Sequence, residues 1–295
     1  VNAPVARKMT NFEKSLQEGR FTVTVELSPP KGTAVAALVE SARSLFPHVA
    51  AFNVTDNQSA VMRLSSLGAA KCVLDAGGDV IFQVTGRDRN RLALQSDLLA
   101  ASVLGIGNVL ALTGDHVTCG DHPGAKPVFD LDSVHILEAI RELNNGRDLA
   151  GNALDGSTSL FAGAAVAPDY EPFDLQWMKM EKKIASGARF FQTQASFSAE
   201  AIERLARRAD AFPAAILAGV LLLKSPAMAS YINRRVPGLN VPDEIVERLA
   251  AADDPLREGM AVASEQIARY RGICHGVHLM TAGREDLAAE ILDPR

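Results

Sequence analysis

The stretch Val109-Leu110-Ala111-Leu112-Thr113-Gly114-Asp115-His116 decides how this chain is read. Its four apolar residues, 109–112, predict a strand buried on both faces, as in a parallel sheet covered by helices. The run ends in Thr-Gly-Asp, which leaves a carboxylate at the strand's C-terminal end. Barrel and open α/β sheets alike gather their functional groups there. Two further segments end in the same manner: Phe21-Thr22-Val23-Thr24-Val25-Glu26 and Arg189-Phe190-Phe191-Gln192-Thr193-Gln194. Three buried strands that deliver Glu, Asp and Gln to one rim predict a site.

Outward from this stretch, strand-like and helix-like segments alternate. Strands are expected at 21–27, 48–54, 79–84, 107–112, 159–166, 189–193, 214–222 and 276–280. Helices are expected at 34–46, 59–76, 91–104, 132–145, 173–186 and 198–211, then at 226–235, 242–251, 256–272 and 284–292. Apolar residues at Val134, Ile136, Leu137, Ile140 and Leu143 form a helical stripe. Asp130 and Asp132 lie near its start, where N-capping acids belong. Eight strands in strict alternation predict a single (β/α)8 barrel over residues 1–295, with extra helices before the last strand. A doubly wound sheet of eight strands produces the same string of elements. No linker, internal repeat or low-complexity segment interrupts the pattern.

The composition suits this fold. Apolar residues make up 47% of the 295 and aromatics only 5%, so the core must be mostly Ala, Val, Leu and Ile. With 30 basic against 35 acidic residues, a net charge of −5 and no dense basic run, nucleic-acid binding has no electrostatic footing. The longest apolar run, Ala214 to Leu223, is broken by Gly219 and is too short for a membrane helix. Residues Val1 to Thr10 lack the apolar core of a secretory signal. Cys72, Cys119 and Cys274 form no CxxC pair, and so few cysteines suit a reducing compartment. A cytoplasmic enzyme is expected.

Several side chains could carry chemistry. Glu26 precedes Leu27-Ser28-Pro29-Pro30, whose two prolines stiffen the strand exit. A partly desolvated carboxyl at a barrel mouth has a raised pKa and suits a general acid. A Glu merely solvated at the strand end, or bound to a helix N-terminus, fits the same position. Asp115 follows Gly114, where a ligand can approach the backbone closely; it reads either as an acceptor for a heterocycle's N–H groups or as an ordinary Asx turn. Gln192 and Gln194 point the same way along their strand, so each amide needs a partner from a neighbouring strand or a ligand. The loop His116-Val117-Thr118-Cys119-Gly120-Asp121-His122 matches no familiar zinc spacing, and Cys274-His275-Gly276-Val277-His278 places His278 in a strand. No metal is expected. Gly105-Ile106-Gly107 precedes a strand, so a Rossmann site is unsupported. Lys179, Lys182 and Lys183 on the helix at 173–186 could reach the phosphates of a nucleotide-like cofactor, although a solvated lysine face is the commoner arrangement.

Taken together, several phrases resemble the methylenetetrahydrofolate reductase family. They are Val25-Glu26 with Pro29-Pro30, Asn53-Val54-Thr55-Asp56, Leu112-Thr113-Gly114-Asp115, Lys126-Pro127-Val128-Phe129-Asp130, Lys183 with Gly187-Ala188, Gln192-Thr193-Gln194, and Ala282-Gly283-Arg284. They occur in the family's order across residues 20–290. Leu223-Lys224-Ser225, Val236-Pro237-Gly238 and Val241-Pro242 resemble its short bacterial branch, which has no regulatory domain. Some members of that branch work beside a second subunit.

The resemblance implies a flavin-bearing barrel that reduces 5,10-methylenetetrahydrofolate to 5-methyltetrahydrofolate, with NAD(P)H as hydride donor. One-carbon metabolism and methionine biosynthesis are the implied setting, and a homo-oligomer is the implied state. Glu26 then corresponds to the general acid that opens the folate ring, and Asp115 lies between flavin and pterin. Gln194 and Arg284 hold the substrate. Thr55, Gln83, Thr113, Gly114, Asp115, Phe129, Asp130, Tyr170, Gln176, Lys179 and Lys183 match flavin contacts. The chain departs from well-known members at Gln83 and Ala167, where they carry His, and at Pro226 or Ala227, where a stacking Phe is common. FAD is the implied flavin, with FMN the alternative. The departure at Pro226 keeps a second implication open, a flavin-bearing subunit that takes electrons from a partner protein.

Overall fold

The computed structural model describes residues 9–236 and 238–293. Pro237 and Val1 to Lys8, which bear on the readings above, lie outside the described residues. Eight strands close into a parallel barrel in sequence order, the last pairing with the first. They are β1 (Thr22–Leu27), β2 (Ala51–Val54), β3 (Val80–Thr85), β4 (Asn108–Leu112), β5 (Phe161–Val166), β6 (Phe190–Ala195), β7 (Ala215–Leu221) and β8 (Gly276–Met280). The helices are α1 (Asn11–Gln17), α2 (Ala36–Leu45), α3 (Ser66–Asp75), α4 (Arg91–Val103), α5 (Ser133–Asn144), α6 (Phe173–Ala185), α7 (Ala199–Ala209), α8 (Pro226–Arg235), α9 (Asp243–Ala251), α10 (Pro255–Tyr270) and α11 (Ala288–Leu292). The expected (β/α)8 barrel is therefore what the chain forms. The additional helices α8 and α9 lie before β8, packed over their own small cluster of Leu223, Ala229, Ile232, Val241 and Leu249.

Three elements differ from the sequence pattern. The helix expected at 59–76 begins only at Ser66, with Ser65 as N-cap accepting from the Gly68 N–H. Ahead of it is a single 3-10 turn, Gln58–Ala60, flanked and interrupted by left-handed residues that no helix accommodates. The helix expected at 284–292 is a 3-10 turn, Glu285–Leu287, leading into the short α11. The N-terminal α1 was not expected. Its Phe12 plugs the bottom of the barrel among Ile81, Leu110, Phe190 and Leu217, with the Phe190 ring 4.9 Å away and nearly perpendicular. An edge-to-face contact of this kind adds to the burial of both rings.

The barrel interior is layered. Above the apolar floor, Thr24, Asn53, Gln192 and His278 form a buried polar layer. Asn53 donates to Gln192 Oε1 at 3.0 Å and to His278 Nε2 at 3.4 Å. The imidazole proton therefore sits on Nδ1, 3.0 Å from Thr24 Oγ1. This layer satisfies the Gln192 amide through Asn53 on β2 and Thr24 on β1, partners from across the barrel rather than from the neighbouring strands or a ligand that the sequence suggested. No helix among the described residues is long and apolar enough to cross a membrane.

Candidate active site

Strand direction decides where the functional groups lie. Because all eight strands run parallel, the residues at their C-terminal ends meet at one mouth. Glu26 on β1, Gln83 on β3, Asp115 beyond β4 and Gln194 on β6 share that end of the barrel. Two clefts open there.

The first is bounded by β1, β7 and β8. It has a volume of about 470 Å³ and is lined by Glu26, Gln58, Arg63, Met280, Gly283 and Glu285, among others. Glu26 is only 8% exposed. Burial pushes its pKa from 4.5 up to about 7; the Gln58 hydrogen bond opposes the rise and the negative charge of Glu285 adds to it. Gln58 Nε2 donates to both carboxyl oxygens, at 3.3 and 3.4 Å. His278 Nε2 lies 4.0 Å from Glu26 Oε2. Burial pushes the imidazole pKa down to about 3, so the ring is neutral at physiological pH. A cationic imidazole at that distance would favour the carboxylate; a neutral one leaves the raised pKa in place.

The second cleft lies between β4, β5 and β6, with α5 and α6 above it. Its volume is about 480 Å³, and its lining includes Thr113, Gln176, Lys179, Lys182, Lys183 and Gln194. Gln176, Lys179 and Lys183 are spaced so that they stand on one face of α6. Lys183 reaches inward and donates to the Ala165 carbonyl at 2.8 Å. Burial pushes its pKa from 10.5 down to about 8, Asp132 opposes that shift and Lys179 adds to it. Asp132 is the N-cap of α5, accepting from the Val134 and His135 N–H groups. Gln194 is exposed to this cleft, whereas Gln192, two residues earlier, is locked below. Tyr170 borders the same region; a Cβ on Gly238 would sit 3.0 Å from its ring and 3.9 Å from Gln194 Oε1.

Among the described residues, two polar groups at the mouth lack hydrogen-bond partners. Thr55 Oγ1, just past the end of β2, is buried without one. The Gln83 amide, also at the mouth, accepts and donates no hydrogen bond among the described residues. Gly114 adopts φ +92°, a left-handed conformation glycine adopts readily, and Asp115 follows it with an exposed carboxylate.

The remaining expected residues are more committed. Phe129 is stacked on His116, with centroids 6.2 Å apart. Asp130 pairs with Arg91 at 2.8 Å, which holds its pKa down at about 2. Arg284 pairs with Asp286 at 2.8 Å, beside the first cleft. The 116–122 loop is tied down by its own side chains and by the β1–α2 loop. His116 shares a hydrogen bond with Thr118, and Asp121 pairs with both Lys31 and His122. Among the described residues, no group of three or more His, Cys, Asp or Glu is placed to hold a metal ion.

Three contributors escaped the sequence pattern. Gln58 reaches Glu26 from a separate loop, and nothing local marks it. Arg87 is 2% exposed and donates to Asp88, to the Asn57 carbonyl and to the Asp115 carbonyl. Arg89 forms a buried pair with Asp56 at 2.7 Å. The charged run Arg87-Asp88-Arg89 directly after a buried strand was the available signal for the latter two.

These features define a (β/α)8-barrel protein whose ionisable groups converge on the C-terminal mouth, with a desolvated acid on one side and lysines on the other. The family model for methylenetetrahydrofolate reductase matches residues 11–294, and the chain belongs to that family. A Caenorhabditis elegans protein named probable methylenetetrahydrofolate reductase (NADPH) is 28% identical over 241 residues, 77% of this chain and 34% of that protein. The chain thus spans about a third of the length of that relative. Among solved structures, an uncharacterized protein from Clostridium thermocellum that binds two copies of 5-methyl-5,6,7,8-tetrahydrofolic acid superposes with a TM-score of 0.65. The match covers 95% of this chain and 96% of that one at 11% identity. A 2,3-dimethylmalate lyase follows at TM-score 0.55 and 8% identity, covering 96% of this chain and 83% of that one. At such identities the likeness is one of fold.

Proposed function

We propose that this chain is one flavin-binding barrel that reduces 5,10-methylenetetrahydrofolate to 5-methyltetrahydrofolate with NAD(P)H as the hydride source. The observation that carries the reading is Glu26: a carboxyl buried at the barrel mouth whose pKa of about 7 keeps a large fraction protonated at neutral pH. A general acid works best with its pKa near the working pH.

The residues at the mouth fit a flavin. The partnerless Thr55 hydroxyl and the uncommitted Gln83 amide offer hydrogen bonds to a planar ring's polar edge. Lys179 and Lys183, with Thr113 and Gln176 in the same cleft, suit its phosphorylated tail. When bound, the flavin supplies hydride transfer from NAD(P)H to the folate carbon.

Glu26 donates its proton to N10 of the folate. The bond from the bridging carbon to N10 then breaks, with its electron pair left on N10, and an N5 iminium cation remains on the substrate. That cation accepts hydride to become the N5-methyl group. Glu26 is left as a carboxylate, held meanwhile by the Gln58 amide, and regains a proton through the open first cleft. On this reading Gln194 and Asp115 hold the pterin edge through amide and carboxylate hydrogen bonds, and Arg284, beside the first cleft, helps to hold the folate.

A second reading has one observation in its favour. Pro226 and Ala227 form the first turn of α8 and offer no ring to stack on a nicotinamide. On that reading the flavin takes electrons from a partner protein. Anaerobic rapid mixing of flavin-loaded protein with NADH or NADPH separates the two. Bleaching of the flavin supports the complete reductase; flavin that stays oxidised supports the partner-fed subunit.

A further inference from the structure

Gln58 is the only side chain among the described residues that donates a hydrogen bond to the Glu26 carboxyl. It belongs to a turn of unusual backbone. Asn57, Ser59 and Ala60 adopt φ of 44°, 55° and 57°, a left-handed region that residues with a Cβ seldom enter. Such a turn persists only where its surroundings determine it, and here they come from three other loops. Gly120, on the β4–α5 loop, lies flat against the turn: a Cβ there would sit 1.8 Å from the Ala60 carbonyl oxygen. The next residue, Asp121, accepts from the Met62 N–H at 3.0 Å and pairs with Lys31 of the β1–α2 loop at 2.6 Å. From the opposite side, Arg87 donates to the Asn57 carbonyl at 3.1 Å, and Asn57 Oδ1 accepts from the Arg63 N–H at 2.9 Å.

We propose that Gln58 is a positioning residue that holds the Glu26 carboxyl in one orientation at the barrel mouth, and that Asp121 of the β4–α5 loop latches it there. A single amide nitrogen spanning both oxygens restricts rotation of the carboxyl. It also favours the ionised form, because the donated hydrogen bonds are strongest to a full negative charge. Other groups facing the carboxyl act differently. His278 is neutral and accepts from Asn53, Glu285 repels negative charge across the cleft, and Arg63 lines the same cleft. Gln58 is thus the counterweight to burial, and it keeps Glu26 able both to give up its proton and to take it back.

This deepens the proposed reaction, and only its catalytic consequence rests on that reading. The test is a pH titration by NMR of the whole protein carrying carboxyl-¹³C glutamate, with the Glu26 signal assigned by its loss in Glu26→Gln. In Gln58→Met, of similar length but without a donor, the Glu26 midpoint is expected to rise by about 1 pH unit. In Asp121→Ala, which leaves Gln58 in place, a smaller rise in the same direction is expected. An unchanged midpoint in Gln58→Met overturns the positioning role, and an unchanged one in Asp121→Ala overturns the latch. The titration needs no substrate. If the midpoint moves but the alkaline limb of folate reduction does not follow it, the proposed reaction fails while the role of Gln58 stands.

Discussion

The two sides of the barrel mouth put ionisable groups to opposite uses. On the β1–β8 side a single carboxyl is stripped of water and faces a neutral imidazole, so its charge is suppressed. On the β4–β6 side Lys179 and Lys182 are exposed, while Lys183 is half-buried and turned inward to the Ala165 carbonyl. On the proposed reading, burial makes a common residue a proton donor at neutral pH, whereas the lysines hold an anion. By the same reading, one rim separates proton transfer from cofactor retention by differences in desolvation, with a carboxyl on a strand end and ammonium groups on helix α6.

The largest effect on this contrast is expected from Glu26→Gln. A positioned general acid is worth about 10²–10⁴-fold, and a fall of that order is expected in folate reduction while flavin reduction by the nicotinamide persists. Parallel assays of the two half-reactions check it; equal losses in both would erase the distinction between the sides.

The same substitution tests the desolvation itself through stability. Glu26 has a higher pKa folded than unfolded, so its contribution is fully present below about pH 4.5 and is lost as pH rises through about 7. An uplift from 4.5 to about 7 corresponds to a loss of about 3 kcal/mol across that window. Urea unfolding at pH 4.5 and pH 8 should show Glu26→Gln gaining on the parent protein by roughly that amount at the higher pH. A constant difference between the two would mean that the carboxyl is solvated.

On the lysine side, Lys183→Met is expected to weaken flavin binding about tenfold, the usual worth of one charge-assisted hydrogen bond. Because its ammonium loses its proton near pH 8, affinity in the parent protein should decline above that pH, and the decline should be absent from the variant. Fluorescence titration with the free flavin measures both. The folate half-reaction, once flavin is saturating, should be nearly unaffected.

The smallest effect is expected at Asp115→Asn, between the two sides. Flavin should be retained, folate should bind a few-fold more weakly, and the flavin midpoint potential should shift as one negative charge is removed. A spectroelectrochemical titration identical to the parent protein's would place Asp115 away from the ring.

Much of the barrel was legible because each strand is short, apolar and followed by a helical stripe, as in Val109–Leu112 followed by Val134–Leu143. The mouth residues Glu26 and Gln194 followed from strand ends alone. Gln192 and His278 were placed in strands by alternation, but their partners depended on which strands adjoin across the barrel. Helix α1 escaped because its one decisive residue, Phe12, acts by plugging the barrel and not through a periodic stripe. The turn Gln58–Ala60 escaped, with a helix expected from residue 59 on, because left-handed backbone at Asn57, Ser59 and Ala60 is imposed by distant loops. Phe129, Asp130 and Arg284 were named as site residues only by resemblance. Their present partners, His116, Arg91 and Asp286, come from the packing of the loops themselves.

The most direct test of Glu26 as the proton source is a single turnover. Protein with its flavin reduced beforehand is mixed anaerobically with methylenetetrahydrofolate across pH 5–9, and flavin reoxidation is followed. The account predicts a rate that falls as pH rises through about 7 in the parent protein, and a slow rate without that limb in Glu26→Gln. Reoxidation of the variant at the parent rate would contradict it.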